Sequence, residues 1–487
     1  MDTEKLLKIK EKWGDPFART AYPVTASVSE ALHAFAEEKE VSLAGRVVSK
    51  REHGKSGFAH ILGREAKIQL YAQKNTLGEN LFALFKQLDV GDIIGVTGTL
   101  FCTRTGEKTV LAKEIVLLSK TLRPLPEKWH GLKDVEVRYR HRSLDLIANP
   151  DVRKVFMERS RIVSRVRDFF AGRGYLEVET PMLHRIPGGA AGRPFVTHHH
   201  ATGMDVYLRI APELYLKRLV VGGLEKVFEI NRSFRNEGVS PRHNPEFTML
   251  EAYCAYQGFE YMMQLCEQMI SGLVKEVSGD YRIEYQGRAI DFTPPWQRIS
   301  FAALFSREFG VESADAPEEM LAKIEQKLTL EKGLTRTQIL NITEELIEKH
   351  YPQEKPAFIV DFFTWMSPLA KAKPDNPALV ERFELFIAGI EVANAYSELN
   401  DPLEQEKRFR RQMEVEEELP KKIDQDFLAS LQYGMPPAAG LGIGIDRLAM
   451  ILLNQSSIKD VILFPLLRPA AAAPERPEED SGGQKKV

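Results

Sequence analysis

The chain has little of several things that would settle its class at once. Only three cysteines occur in 487 residues, Cys102, Cys254 and Cys266, widely spaced and with no CxxC pair. Their scarcity excludes a disulfide framework and a cysteine-ligated zinc site, and it suits a reducing, cytoplasmic setting. No run approaches the ~18 uninterrupted apolar residues of a membrane span. The strongest candidate, Leu441 to Leu453, is broken by Asp446 and Arg447. Met1 to Gly14 is charged throughout and has no apolar signal core. Neither sign of charge is in excess, because 66 Lys and Arg against 69 Asp and Glu leave a net charge of −3. What is present is an ordinary globular balance, 43% hydrophobic and 28% charged, with apolar material for a core of several domains.

Residues 1–40 read as a helix, a break at Pro16 and Pro23, and a second helix. From Val41 the pattern changes to short β-like runs, VSLAGRVVSKRE, GFAHILGREAKIQLYA, DIIGVTGTLF and EKTVLAKEIVLLSK, separated by Gly and polar turns. That pattern over 41–122 predicts a small closed or nearly closed β-barrel. Residues 41–125 hold 13 Lys and Arg against 7 Asp and Glu, so this segment is basic although the chain is not. Such unevenness is either scatter or the footprint of a nucleic-acid-binding barrel on a more acidic body.

Leu122-Arg123-Pro124-Leu125-Pro126 opens a stiff linker over 123–143, since its prolines disfavour helix around them. The body, 144–468, alternates helices and strands. Met157 to Arg173 has amphipathic helical spacing and stops at Gly172 and Gly174. Within the body, 312–350 reads as a helical insertion, because SADAPEEMLAKIEQKL and TRTQILNITEELIEKH both carry caps and i, i+3/i+4 apolar spacing. The segment 469–487 has three prolines and almost no large apolar group, the composition of a disordered tail.

The most informative stretch is KVFEINRSFRNEGVSPRHNPEFTMLEAYCAY, Lys226 to Tyr256. Two strand-like runs flank a loop rich in Arg, His, Asn and Pro. Arg235 and Glu237 are two apart in the first run, and Phe247, Met249, Glu251 and Tyr253 alternate in the second, so each set shares a face. An arginine, an aromatic ring and carboxylates on one sheet face could hold a planar base and an anionic phosphate. A salt-bridged hairpin with a polar edge fits the same residues equally well. In GLGIGIDRLAMIL, Gly440, Gly442 and Gly444 leave one strand face bare, so a ligand can approach the backbone. Arg447 then stands in the first turn of a helix, where backbone N–H groups favour phosphate oxygens. A dinucleotide fold would need GxGxxG and an acid ~20 residues on within a βαβ unit; with 42 residues left after Ile445 and a different glycine spacing, that reading is rejected.

The acidic run Val380 to Asp401 places Asn394, Tyr396 and Glu398 on one face of a strand. Glu384 and Glu391 flank a turn at Ala388-Gly389 that could bring two oxygen ligands together for Mg²⁺. By count Glu391 falls on the face opposite Glu398 unless a bulge intervenes.

These segments resemble a known family. FRNEG followed by RHNPEFTMLE is similar to motif 2 of the class II aminoacyl-tRNA synthetases, and to the lysyl enzymes among them. GYLEVETPML, Gly174 to Leu183, resembles motif 1, and GLGIGIDRLAMIL resembles motif 3. All three occur in the family's order, and the likeness runs from the barrel to about Pro469. It implies an α+β fold: an N-terminal OB-fold β-barrel, then a catalytic domain built on an antiparallel sheet flanked by helices. It also implies activation of L-lysine with ATP, transfer to tRNA(Lys), and a cytoplasmic homodimer joined near Pro181. A sister enzyme for aspartate or asparagine and a non-catalytic RNA-binding relative are the alternatives.

The resemblance further assigns roles. Arg235 bridges the α-phosphate and the lysine carboxylate, Phe247 stacks on adenine, and Glu237, His243 and Arg447 hold the rest of ATP. Mg²⁺ falls to Glu384 and Glu391. Lysine falls to Gly189, Glu213, Glu251, Tyr253, Asn394, Tyr396 and Glu398. Three glutamates suit a substrate with two ammonium groups, whereas an aspartate pocket needs a cation. In the barrel, Arg51, Phe58, Gln69 and Glu114 read the anticodon, with barrel core as the other reading of Phe58. Two places depart from the family's pattern: Gly63 replaces an acid, and DFFTWMSPLAK, Asp361 to Lys371, lacks the usual proline and acid within Phe363 to Met366.

Overall fold

The structure, a computed structural model, describes residues 3–125, 132–190, 192–328, 342–343, 346–347, 350–351, 353–415 and 422–469. It divides into two compact units, Met1–Lys154 and Val155–Val487.

The first unit opens with α1 (Thr3–Trp13) and α2 (Val28–His33), the latter started by a Ser27–Glu30 capping box. Five strands follow: β1 (Glu40–His53), β2 (Ser56–Leu62), β3 (Lys67–Gln73), β4 (Ile93–Cys102) and β5 (Lys108–Ser119). They close into a barrel in the order β1-β2-β3-β5-β4, with only β3 and β5 parallel. Alternation along each strand fills the interior with residues such as Leu43, Ile61, Leu70, Val96 and Val110. Between β3 and β4 runs α3 (Lys74–Gln87), not expected from the sequence, whose Gly78 at φ +76° kinks it. Gly63 also finds its reason here. A Cβ on it would come within 3.0 Å of the Val28 side chain at the start of α2, a tight contact that a larger residue would have to relieve by a small shift. Two short helices, α4 (Val135–Arg140) and α5 (Arg142–Ala148), complete this unit, so the compact boundary lies later than the 123–143 linker.

The boundary falls inside α6 (Pro150–Ala171), which starts seven residues before the predicted Met157 because Pro150 suits a first helical position. The second unit is organised by eight strands: β6 (Leu176–Glu177), β10 (Lys226–Phe234), β11 (Glu246–Ala255), β14 (Gln297–Ser300), β15 (Ala357–Val360), β16 (Arg382–Ile387), β17 (Ile390–Ser397) and β18 (Ala438–Gly444). The intervening numbers belong to a small sheet of β7 (Leu183–His184), β8 (Val196–His199) and β9 (Met204–Leu208), and to a hairpin of β12 (Arg282–Tyr285) and β13 (Arg288–Asp291). The large sheet runs β14-β15-β16-β17-β18-β11-β10-β6, antiparallel except for the parallel pairs at its two ends.

The period of two decides which residues can do chemistry. Leu250, Ala252 and Cys254 of β11, Ala393 and Ala395 of β17, and Leu441 and Ile443 of β18 join one core. Helix α8 (Phe259–Ser278) packs Met262, Cys266, Met269 and Ile270 into that core, and α6 adds Ile162, Val166 and Phe170. The alternate residues of the same strands face a cavity on the other side.

Of the expected helical insertion, α9 (Phe301–Phe309) precedes it and α10 (Pro317–Leu328) is its first helix. Most of its second helix and nearly all of the 469–487 tail lie outside the described residues. The unusual Phe362-Phe363 pair is buried against α9, with Phe301 and Phe362 stacked at 4.8 Å. An aromatic core contact stands where the family's proline and acid were missed.

Candidate active site

The cavity, about 510 Å³, is lined by Gly189, Glu213, Arg235, Glu237, His243, Phe247, Glu251, Tyr253, Glu384, Glu391, Asn394, Tyr396, Glu398 and Arg447, among others. Every residue that the sequence assigned to ATP or lysine therefore meets at one place.

One local expectation needs correction, and one left open by the sequence is decided. Arg235 and Glu237 do not sit in a strand, because β10 ends at Phe234. Their nearness comes from the turn that follows, where the Glu237 N–H donates to the Arg235 carbonyl at 2.9 Å. The Arg235 N–H still donates to the Pro245 carbonyl, which holds that turn against the return strand. For Glu391 the bulge that its odd spacing left open is present, and Glu391 faces the cavity. The pairing of β16 with β17 jumps from Leu385↔Ala393 to Phe386↔Glu391, leaving Val392 as a bulge that rotates Glu391 onto the cavity side. The Ala388-Gly389 turn, with φ of +51° and +76°, makes the tight connection of the primed hairpin type.

One end of the cavity is cationic. The Arg235 guanidinium lies 5.2 Å from the centre of the Phe247 ring, and its buried Nε has no hydrogen-bond partner. Arg447 donates to the Glu391 carbonyl at 2.8 Å and to its carboxylate at 3.2 Å. Its Nη2 also meets His243 Nε2 at 3.0 Å. Burial, then the nearby Arg447 charge, holds the His243 imidazole below its ordinary value, so Nε2 is free to accept. Asp446 plays a supporting part, accepting the Thr248 N–H at 2.7 Å and Arg159 at 2.5 Å.

The other end is acidic. Glu213 begins α7 (Glu213–Val221), Glu251 projects from β11, and Glu398 follows β17. All three are buried. Tyr396 donates to Glu213 at 2.7 Å and Tyr253 to Glu251 at 3.2 Å. Burial, reinforced by the Glu213 charge, pushes the Glu251 carboxyl up to about 8. Burial raises Glu398 as well, against the pull of Lys217. Gly189 sits at φ +87° with Glu213 Cβ only 2.9 Å from where its own Cβ would stand, so a side chain there would close this end. Along the floor, the Cβ missing from Gly440 would collide with the Glu398 carboxylate and the Tyr253 ring.

Four participants escaped the sequence reading: Lys217, Arg382, Tyr71 and Phe101. Lys217 of α7 is fully buried between Glu213 and Glu398, at 2.6 and 2.5 Å. Arg382 of β16 pairs with Glu384 at 2.5 Å, and its two-residue spacing was a usable signal. On the barrel, Phe58 points outward while its neighbours Ala59 and Ile61 fill the core, which excludes the barrel-core reading. Phe58 stacks on Tyr71 at 4.7 Å, and Tyr71 meets Phe101 at 6.1 Å, so the platform has three rings. Arg51 is directly opposite Phe58 in the ladder. Gln69 is tied to Glu107 and Thr109, and Glu114 is exposed on β5 opposite Thr97.

Glu384 and Glu391 supply the hard oxygen donors that Mg²⁺ takes, and both line the cavity, so the residues fit that ion. Among the described residues, no group of three or more His, Cys, Asp or Glu could hold a metal, so phosphate oxygens would have to share it.

Residues 134–468 match the family of class II tRNA synthetases (D, K and N), and residues 41–118 match the OB-fold nucleic acid binding domain family. The chain belongs to the class II tRNA synthetases. The eight-stranded sheet is the catalytic core of this class II synthetase, and the barrel is its OB-fold. Curated relatives of the synthetase extend over nearly its whole length. It is 49% identical over 478 residues to a lysine–tRNA ligase of Syntrophomonas wolfei, covering 96% of each chain. It is 50% identical over 475 residues to that of Carboxydothermus hydrogenoformans, covering 96% of this chain and 97% of the relative. It is 51% identical over 477 residues to that of Pelotomaculum thermopropionicum, covering 96% and 94%. No helix among the described residues is long and apolar enough to cross a membrane.

Proposed function

We propose that the chain activates L-lysine with ATP to lysyl-adenylate and transfers the lysyl group to the 3′ end of tRNA(Lys). The observation that carries the substrate is the acidic end, where Glu213, Glu251 and Glu398 outnumber the single Lys217. An aspartate carboxylate would meet repulsion there. Lysine offers two ammonium groups to that end and one carboxylate to Arg235, matching the cavity's sequence of charge.

The lysine carboxylate oxygen attacks the α-phosphorus in line, a new O–P bond forms, and the bond to the β-phosphate bridging oxygen breaks to release pyrophosphate. No protein nucleophile is required. Arg235 can donate to both reacting groups, and its unpartnered buried Nε supports that role. Phe247, covered on one face by Arg235, leaves the other for adenine, while Glu237, His243 and Arg447 hold the remainder of ATP. Gly189, Tyr253, Asn394 and Tyr396 complete the lysine site. Mg²⁺ held by Glu384, Glu391 and phosphate oxygens would neutralise charge on the triphosphate. The free ribose hydroxyl of the tRNA terminus then attacks the carbonyl of the adenylate, expelling AMP.

For tRNA, the outer rings of Phe58 and Tyr71 offer a stacking platform, flanked by Arg51, Gln69 and Glu114 for base edges. Exposed Leu176, Pro181 and Leu183 around motif 1 fit a homodimer contact. The scattered cysteines fit the cytoplasm. The deciding experiment is pyrophosphate exchange with each of the twenty amino acids. Exchange driven by lysine is expected; preference for aspartate or asparagine would overturn the substrate, and no exchange with any would favour the RNA-binding relative.

A further inference from the structure

Lys217 is fully buried on α7 and its ammonium touches two carboxylates from different elements. Glu213, one turn back on the same helix, lies 2.6 Å from Nζ, and Glu398, just beyond β17, lies 2.5 Å away. The Tyr396 ring closes a third side at 5.6 Å. Both glutamates line the cavity and Lys217 does not, so the cation stands behind the acids rather than among the groups a substrate would touch.

A purely architectural i, i+4 bridge explains half of this. Such a pair on a helix needs only Glu213. The second partner comes from across the sheet, and it brings a loose end: neither buried Glu398 oxygen has a hydrogen-bond partner, Oε2 being held by charge alone, 2.5 Å from Nζ. Oε1 occupies the space left by the absent Cβ of Gly440. The carboxylate is therefore ion-paired at Oε2 and left without any partner at Oε1, within the cavity wall. Glu251 is the third acid facing this space, hydrogen-bonded by Tyr253, and Tyr396 donates to Glu213.

We infer that Lys217 is a positioning residue, which grips one oxygen each of Glu213 and Glu398 so that their other oxygens face a substrate ammonium. The inference rests on the reading that this cavity binds lysine. Its second effect is on charge. Once an arriving ammonium has expelled the Glu251 proton, three carboxylates and one ammonium leave two negative charges for the two ammonium groups of bound lysine, while Arg235 answers the substrate carboxylate. Burial works against the Lys217 ammonium, yet Glu213 and Glu398 outweigh it and hold its pKa above the ordinary lysine value, so it stays charged over the working range. Without it, Glu213 and Glu398 would repel each other and take up a proton instead.

The test compares wild type, Lys217→Met, Glu213→Gln and the double variant in lysine-dependent pyrophosphate exchange. For Lys217→Met we expect the KM for lysine to rise by about tenfold or more with the KM for ATP within about twofold, the scale of coupling between close buried charges. The acid limb of kcat/KM for lysine should move to higher pH, because that limb reports groups of the free enzyme. The double variant should fall short of the sum of the two single effects, since Lys217 acts in part through the Glu213 carboxylate and in part through Glu398. If Lys217→Met does not fold, the double variant, which removes the stranded charge, is compared with Glu213→Gln directly. An unchanged lysine KM and acid limb, equal rises for lysine and ATP, or strict additivity in the double variant would each overturn the inference. Wild type without lysine-dependent exchange would instead overturn the underlying function, so the two failures are distinguishable.

Discussion

The three glycines of β18 offer a graded probe of the cavity floor. An alanine at Gly440 would place its Cβ against the Glu398 carboxylate, and 2.6 and 3.0 Å from two carbons of the Tyr253 ring. Neither neighbour can retreat easily: the ring is buried and Glu398 is anchored by Lys217. At Gly442 the nearest atom is the flexible Met249 Cε at 3.3 Å, and at Gly444 it is Arg447 Cβ at 3.7 Å, an ordinary contact. Inserting a methyl group into a packed site costs ~1–3 kcal/mol. If that cost falls on the lysine end, Gly440→Ala should lower kcat/KM for lysine by about 5- to 150-fold. The KM for ATP should change far less, because the cationic end is built from other residues. Gly442→Ala should be intermediate and Gly444→Ala within about threefold of wild type, a surface-scale effect. Pyrophosphate exchange at varied lysine and varied ATP reads all three. A Gly444→Ala enzyme more impaired than Gly440→Ala, or a Gly440→Ala enzyme with native lysine KM, would refute the assignment of ends.

Other outcomes follow from the same geometry. Arg235→Lys keeps the charge but loses the fork over Phe247, and adenylation should fall by ~10²-fold or more, the scale for one preorganised donor; near-native exchange would remove Arg235 from the mechanism. Phe58→Ala should leave exchange intact and weaken charging of tRNA by ~1–3 kcal/mol, the worth of one stacking ring, and a matching fall in exchange would count against an independent anticodon reader. Burial lifts the Glu251 carboxyl to about 8, so in the empty site it holds a proton at pH 7 that an arriving ammonium must expel. Calorimetry in buffers of different ionisation heat should then show release of on the order of one proton per lysine, diminishing above pH 8, and heats independent of buffer would contradict this. The sign for folding is opposite to the usual acid. A carboxyl raised in the folded state contributes stability below its unfolded value and loses it as pH rises through about 8, so the lysine-free protein should melt progressively lower over that window.

Much of the site was legible because strand alternation is a strict rule. Phe247, Glu251, Tyr253, Asn394, Tyr396 and the three glycines reach the cavity by counting in twos from any one of them. The count failed where the backbone leaves the rule. Arg235 and Glu237 reach the site from a turn beyond β10, and Glu391 through the bulge at Val392, which no residue type announces. Lys217 was missed for another reason. A Glu and a Lys four apart on a helix usually mark a solvated surface pair, and only burial against Glu398 distinguishes this one. The outward stack of Phe58 on Tyr71 likewise depends on register across β2 and β3, not on either strand alone.

Each strand through the centre of the catalytic unit writes two messages in interleaved letters, one to the core and one to the cavity, and nothing but phase separates them. The bulge at Val392 is a phase shift of one letter. Drawn out as regular strand, the same residues would keep their composition, charge and length, yet Glu391 would trade places with Val392 and meet the packed side of the sheet. In β18 the same slip would bring Ala439, Leu441 and Ile443 into the space the glycines keep open. In these strands the spacing of residues is therefore under as tight a constraint as their identity, and a single insertion or deletion should be more damaging than most substitutions.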